Sequence, residues 1–230
     1  MNILIRNWLT VSRSLAVAIP LLLTFPAQAE NQPLLITNAL VFDGRSETLK
    51  KGYDVLVVGD RIVTISKSPD LPPDTLVIDA AGRTMTPGFI DAHAHVMLQL
   101  SYIQGIASDR FFWAYVASQT AETYLMNGFT TIRDMSGNSF SLKTAIDRGI
   151  LDGPRIYPSG PMISQTSGHS DHRFASHASK LIEDEPSVFM KYEMVAVADG
   201  RTEVLRASRE ALRRGATQIK IATGGGTGSY

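Results

Sequence analysis

From Pro87 onward one arrangement occurs three times: a helical stretch ends at a glycine and leads into a β-type run. Residues 109–127 end at Gly128 before residues 129–135. Residues 141–148 end at Gly149, and a short loop leads to residues 154–159. Residues 202–214 end at Gly215 before residues 216–222. Glycine just past a helix end takes the left-handed conformation without a Cβ clash, so it stops the helix. In the last helix Val204, Leu205, Ser208, Ala211 and Leu212 fall on one face, and Thr202 is placed to cap the N-terminus. Alternation of strand and helix argues for a parallel sheet covered by helices, an α/β fold. Strands are predicted at 89–95, 129–135, 155–159 and 217–223. Residues 169–198 are polar and weakly periodic, which predicts a long loop, functional or disordered.

The stretch before Pro87 has a different rhythm. Short β-type runs at 34–42, 53–58, 61–65 and 76–79 are separated by Asp43-Gly44, Gly59-Asp60 and the Pro69–Asp74 turn region. Gly59-Asp60 between two apolar runs predicts a two-residue hairpin. Residues 30–86 therefore read as a small β-sheet domain. The first 29 residues read as a signal peptide. Arg6 and Arg13 give a positive start, Ser14–Phe25 an apolar centre, and Ala27-Gln28-Ala29 a small-x-small cleavage site before Glu30. The apolar centre is shorter than the roughly 20 residues a membrane span needs, and Pro20 interrupts it. The expectation is export to the periplasm or beyond the cell, with no stable membrane span after cleavage.

Charge and cysteine content narrow the chemistry. The 22 basic and 22 acidic residues balance, so no basic field favours nucleic acid. Without cysteine, a metal has to be held by histidine, carboxylate or a modified side chain. The residues 87–96, PGFIDAHAHV, carry the strongest candidate. Side chains alternate along a strand, so His93 and His95 share a face and can reach one metal ion, whereas Ala92 and Ala94 face the other way. The alternative is a pair of polar histidines at a strand end. Lys220, within ATQIKIATGGG, shares a strand face with Gln218 and Ala222. A lysine desolvated there becomes a neutral, nucleophilic amine able to add carbon dioxide; alternatively its head reaches water at the strand end. His169, in Gly168-His169-Ser170-Asp171, is either a substrate contact or a solvated loop histidine. His172 and His177 read as loop residues, and Asp134 as structural. The run Thr223–Gly228 lacks the Gly-Lys-Ser/Thr ending of a phosphate loop, and no G-x-S-x-G elbow is present.

These residues together resemble a known family. PGFIDAHAHV resembles the first barrel strand of the amidohydrolase superfamily, and the β-rich stretch before it is similar to that family's small flanking domain. The run ADGRTEVLRASREALRRGATQIKIATGGG (198–226), with TSGHSDHR (166–173), is similar to the imidazolonepropionase-like amidohydrolases, including prolidase-type Xaa-Pro dipeptidases. The resemblance implies the N-terminal part, about four strands, of a (β/α)8 TIM barrel with its site at the C-terminal face. It implies that His93 and His95 bind the more buried metal. Lys220, as an N6-carboxylysine (a carbamate formed with carbon dioxide), would bridge two Zn²⁺ ions, and His169 would contact substrate. No catalytic residue is expected within the chain: the family's aspartate lies beyond residue 230, with two further histidine ligands. A barrel takes about 250 residues, so residues 87–230 read as a truncated first half.

The activity implied is hydrolysis of a C–N bond by metal-activated water. The substrate would be a small amide or dipeptide, such as an Xaa-Pro dipeptide or an N-acyl amino acid. Two alternatives stand beside it. One is a mononuclear cyclic-amide hydrolase or deaminase with Lys220 unmodified. The other is a non-catalytic exported binding fragment.

Overall fold

A computed structural model describes residues 32–182 and 185–225 of the chain. The expected signal peptide and the glycine run past Gly225 lie outside the described residues. The chain divides into two compact units, one ending at Thr86 and one starting at Pro87.

The first unit is built on β1 (Leu34–Val41), which lies antiparallel to β2 (Lys50–Val58) and parallel to both β4 (Leu76–Asp79) and β5 (Thr84–Met85). β2 turns back into β3 (Arg61–Ser66) through Gly59-Asp60. Gly59 has φ +58°, the left-handed geometry such a tight hairpin turn demands. Ala39, Val41 and Val55 form the buried centre of this sheet. The two-residue strand β5 is too short to leave a periodic signal in sequence.

The second unit begins with β6 (Phe89–Ala94). It runs parallel to β7 (Phe129–Asp134), which in turn runs parallel to β8 (Arg155–Pro158). The chain then bends at Ser159–Pro161 and continues as β9 (Met162–Ser164), which lies parallel to β10 (Val195–Val197) on one side and β11 (Ile221–Ala222) on the other. Helices α1 (Tyr102–Ala107) and α2 (Arg110–Met126) connect β6 to β7, and α3 (Phe140–Asp147) connects β7 to β8. Helix α4 (Val188–Lys191) leads into β10, and α5 (Gly200–Arg213) leads towards β11. This is part of a (β/α) barrel, and among the described residues it does not close.

The three helix stops lie where glycine places them. Gly128, Gly149 and Gly215 all have positive φ. On α2 the buried residues Trp113, Ala117 and Ala121 fall at i, i+4 and i+8, one stripe of a helix. They pack into a core with Ala94, Val96, Ile132, Leu142 and Ile156. Asp109 caps α2 by accepting from the Phe111 and Phe112 N–H groups, both at 2.9 Å.

Three sequence expectations are corrected. Residues 169–198 contain α4 and β10; these are four and three residues long, too short for periodicity to reveal. The predicted fourth strand, 217–223, pairs only over Ile221–Ala222. Helix α5 starts at Gly200 with Asp199 as its N-cap residue, ahead of Thr202. The Asp199 carboxylate is taken instead by the Thr166 N–H at 2.8 Å and the Thr166 hydroxyl at 2.6 Å.

Gly88 sets how closely β6 approaches β7. A Cβ placed there would lie 2.1 Å from Thr130 Oγ1 and 2.2 Å from its Cγ2. Gly88→Ala is expected to push the strands apart and destabilise the protein by about 2–3 kcal/mol, the upper range for overpacking. A denaturant titration of parent and variant checks this.

Candidate metal and substrate site

The site grows from the end of β6. The β6–β7 ladder pairs Asp91 with Ile132 and then Ala94 with Asp134, so β6 carries one extra residue between those pairs. Such a bulge redirects the strand and leaves backbone groups without ladder partners. Three side-chain bonds and one backbone bond satisfy them here. Asp91 Oδ1 accepts from the His93 N–H at 2.9 Å, and Arg133 Nε donates to the Ala92 carbonyl at 2.7 Å. The Met135 N–H donates to the Ala94 carbonyl at 2.8 Å, and Asp134 Oδ1 accepts from the Val96 N–H at 3.0 Å.

This frame holds the two histidines side by side. Their ring centroids are 5.2 Å apart and the planes are inclined by 55°. His93 is exposed and His95 half-buried. His95 Nδ1 is shielded from solvent and makes no hydrogen bond. Burial, reinforced by the neighbouring His93, Lys220 and His169, depresses the His95 pKa below the usual histidine value. His95 is thus neutral at pH 7, the form that ligates metals.

Lys220 is half-buried and sits just before β11 rather than in the middle of a strand; its carbonyl accepts from the Ile163 N–H at 3.0 Å. His169 lies in the loop after β9, where its N–H donates to the Gly224 carbonyl at 3.2 Å. The glycine-rich run after β11 therefore seats the His169 loop, a role its sequence did not announce. His169 Nδ1 is also buried and unpartnered. The four residues singled out in sequence, His93, His95, His169 and Lys220, are near enough for the last two and His93 to act electrostatically on His95. Among the described residues, no group of three His, Cys, Asp or Glu side chains is arranged to hold a metal ion. His169 therefore does not complete a ligand cluster with the β6 pair.

The rest of the loop is tied down by Asp171. Its Oδ1 and Oδ2 accept from Arg173 Nε at 2.7 Å and Nη2 at 2.6 Å, and Oδ2 also accepts from the Ser167 N–H at 2.8 Å. The Arg173 guanidinium holds the Asp171 carboxyl down at about 2. This pairing stabilises the loop above pH 4 and fades as pH falls towards 2. His172, read in sequence as a loop residue, is packed against Phe189 with ring centroids 5.0 Å apart, and burial lowers its pKa. Tyr102 stacks on the same Phe189 at 5.3 Å and donates its hydroxyl to the His172 carbonyl at 2.9 Å. A cavity of about 730 Å³ beside this loop is lined by Thr166, Arg173, Phe174, His177 and Asp199, among others.

Asp134 is fully buried. Burial pushes its carboxyl up to about 7, against the Ser139 hydroxyl and the Val96 N–H, which both favour the ionised form. A folded-state value above the unfolded one near 3.9 means that the proton stabilises the fold: the benefit is full below pH 4 and is lost as pH rises through 7. Asp134→Asn keeps the acceptor and removes the charge. Relative to the parent it is expected to be stabilised by about 1–3 kcal/mol at pH 8 and little changed at pH 4. Melting curves of both metal-free proteins across that range provide the check.

Sequence reasoning passed over Asp91, Arg133 and the Asp171–Arg173 pair. Asp91 had a readable signal, because an aspartate two residues before another residue commonly caps that residue's N–H. Arg133 had none, since its role depends on a bulge in the neighbouring strand.

Residues 84–230 match the amidohydrolase family. The chain belongs to that family. Among curated relatives, the ochratoxinase of Aspergillus niger is 29% identical over 211 residues, covering 86% of this chain and 43% of the relative. A crystal structure of a prolidase complexed with N-methylphosphonate-L-proline superposes with a TM-score of 0.75 at 33% identity, covering 86% of this chain and 48% of that one. The A. niger ochratoxinase structure gives a TM-score of 0.67 at 28% identity, with 87% and 49% covered. The chain spans about half the length of these relatives.

Proposed function

We propose that the full-length protein is an exported, metal-dependent hydrolase of small peptide-like amides, with Xaa-Pro dipeptides and N-acyl amino acids as its substrate class. The observation that carries this reading is the neutral His95 imidazole, its buried Nδ1 without a hydrogen bond, beside His93 and with Lys220 close by. A buried ring nitrogen without a hydrogen bond is costly unless something ligates it. The likeness to a prolidase holding a proline phosphonate and to an ochratoxinase supports the amide class. Export rests on the sequence of residues 1–29, and N-terminal sequencing of the mature protein should begin at Glu30.

In this reading His93 and His95, at the end of β6, would hold the metal. The half-buried Lys220 amine would add carbon dioxide with loss of a proton, and the resulting anionic carbamate would supply further oxygen ligands for the metal. When bound, the metal supplies Lewis acidity, polarising the scissile carbonyl and acidifying water at neutral pH. His169, held by its backbone bond to Gly224, orients the substrate near the scissile group. The buried Ala94 and Val96 behind the histidines keep that side of the site dry. Proton transfer to the leaving nitrogen belongs to the aspartate the family places beyond residue 230.

Metal content tests this reading on the longest natural form of the protein, purified with bicarbonate, beside Lys220→Ala. The expected result is about two divalent ions per chain in the parent and fewer in the variant. One ion in both would favour the mononuclear cyclic-amide hydrolase or deaminase. No metal in either would defeat the proposal.

A further inference from the structure

We infer that the adjacent pair Arg133-Asp134 on β7 is the positioning cradle of the His93/His95 pair, an inference that rests on the metal-binding reading above. The bulge takes Ala92 and His93 out of the regular ladder, beside the residues that must aim two imidazoles at one point. Consecutive β7 side chains point to opposite faces of the sheet, so this dipeptide can grip the β6 terminus from both. Arg133 reaches along the exposed face to the Ala92 carbonyl, the residue before His93. Asp134 reaches through the core to the Val96 N–H, the residue after His95.

The core-side bond is the firmer of the two. Asp134 and Val96 both have 0% relative exposure, so water cannot replace the bond. The Asp134 backbone is fixed from the other side as well, because its carbonyl accepts from the N–H of Ser159, just past the end of β8, at 3.0 Å. The His95 backbone is thereby referenced to β7 and β8 rather than left at a free strand end. The role assigned to Asp134 is that of an acceptor for a backbone N–H. An amide oxygen performs it as well as a carboxylate, and an apolar side chain cannot.

The test uses the longest natural form of the protein, stripped of metal and titrated calorimetrically with Zn²⁺ alone. Four variants are compared with the parent: Asp134→Leu, Asp134→Asn, Arg133→Met and His95→Ala. Asp134→Leu should weaken Zn²⁺ binding by about 10–100-fold, the range for partners that orient metal ligands. Asp134→Asn should bind within about threefold of the parent, because the acceptor remains. Arg133→Met should weaken binding by about tenfold while melting within about 2 °C of the parent, as an exposed substitution does. Parent-like affinity in a folded Asp134→Leu protein, or equal loss in Leu and Asn, would overturn the acceptor role. If the Leu variant fails to fold, Arg133→Met decides, and parent affinity there sinks the cradle. His95→Ala separates this inference from the one beneath it: undiminished Zn²⁺ binding in that variant defeats the metal site itself.

Discussion

Replacing His95 with alanine in the full-length protein is expected to abolish turnover and remove at least one metal ion per chain. Lewis-acid stabilisation of a developing negative charge is worth several kcal/mol, and each 1.4 kcal/mol is a factor of ten, so the loss is at least about 10³-fold. The fold should survive. His95 is half-buried and one of its ring nitrogens makes no hydrogen bond, so removing the ring breaks no observed side-chain bond of Nδ1. The control is His177→Ala, an exposed loop residue, which should keep metal and activity. Steady-state kinetics on an Xaa-Pro dipeptide, with elemental analysis of both proteins, decides the matter; normal activity at normal metal content in His95→Ala would refute the site.

The second large effect is on stability. Trp113 has 1% relative exposure and joins three helices. Its indole N–H donates to the Gly105 carbonyl of α1 at 3.3 Å, and its ring meets Phe189 of α4 edge-on at 5.5 Å. Gly105 packs so close that an added Cβ would lie 2.7 Å from the indole. Trp113→Ala should therefore leave a cavity no neighbour can fill and destabilise the protein by about 3–5 kcal/mol. Trp113→Phe retains most of the ring and should lose less than half of that. Chemical denaturation of the three proteins measures both. The damage should extend to the site, because Phe189 also packs against Tyr102 of α1 and against His172 on the loop that bears His169.

Much of this architecture could be read from local signals. Helix stops at Gly128, Gly149 and Gly215 are decided by the conformational freedom of one residue, and they appear where the sequence puts them. The His-x-His spacing likewise forecasts two imidazoles on one side of a strand end, and the rings lie side by side. What could not be read depends on distant residues. The two sheets meet at a bend, Ser159–Pro161, and the partners of β9 beyond it come from β10 and β11, about 35–60 residues later in the chain. The bulge at Ala92–His93 exists only because β7 lies beside it. Lys220 illustrates both sides: its nearness to the histidines is implied by the family resemblance and not by local pattern, and its place just outside the paired part of β11 by neither.

The bend at Ser159–Pro161 has one more effect. The histidines belong to the sheet on one side of it, and Lys220 is attached through Ile163 to the sheet on the other. Gly160, with φ +72°, is the elbow between them. The distance between the histidine pair and Lys220 therefore depends on the backbone angle at a residue that is none of the three. A different backbone angle at this joint would shift the histidine pair relative to Lys220 while every one of those side chains stayed the same.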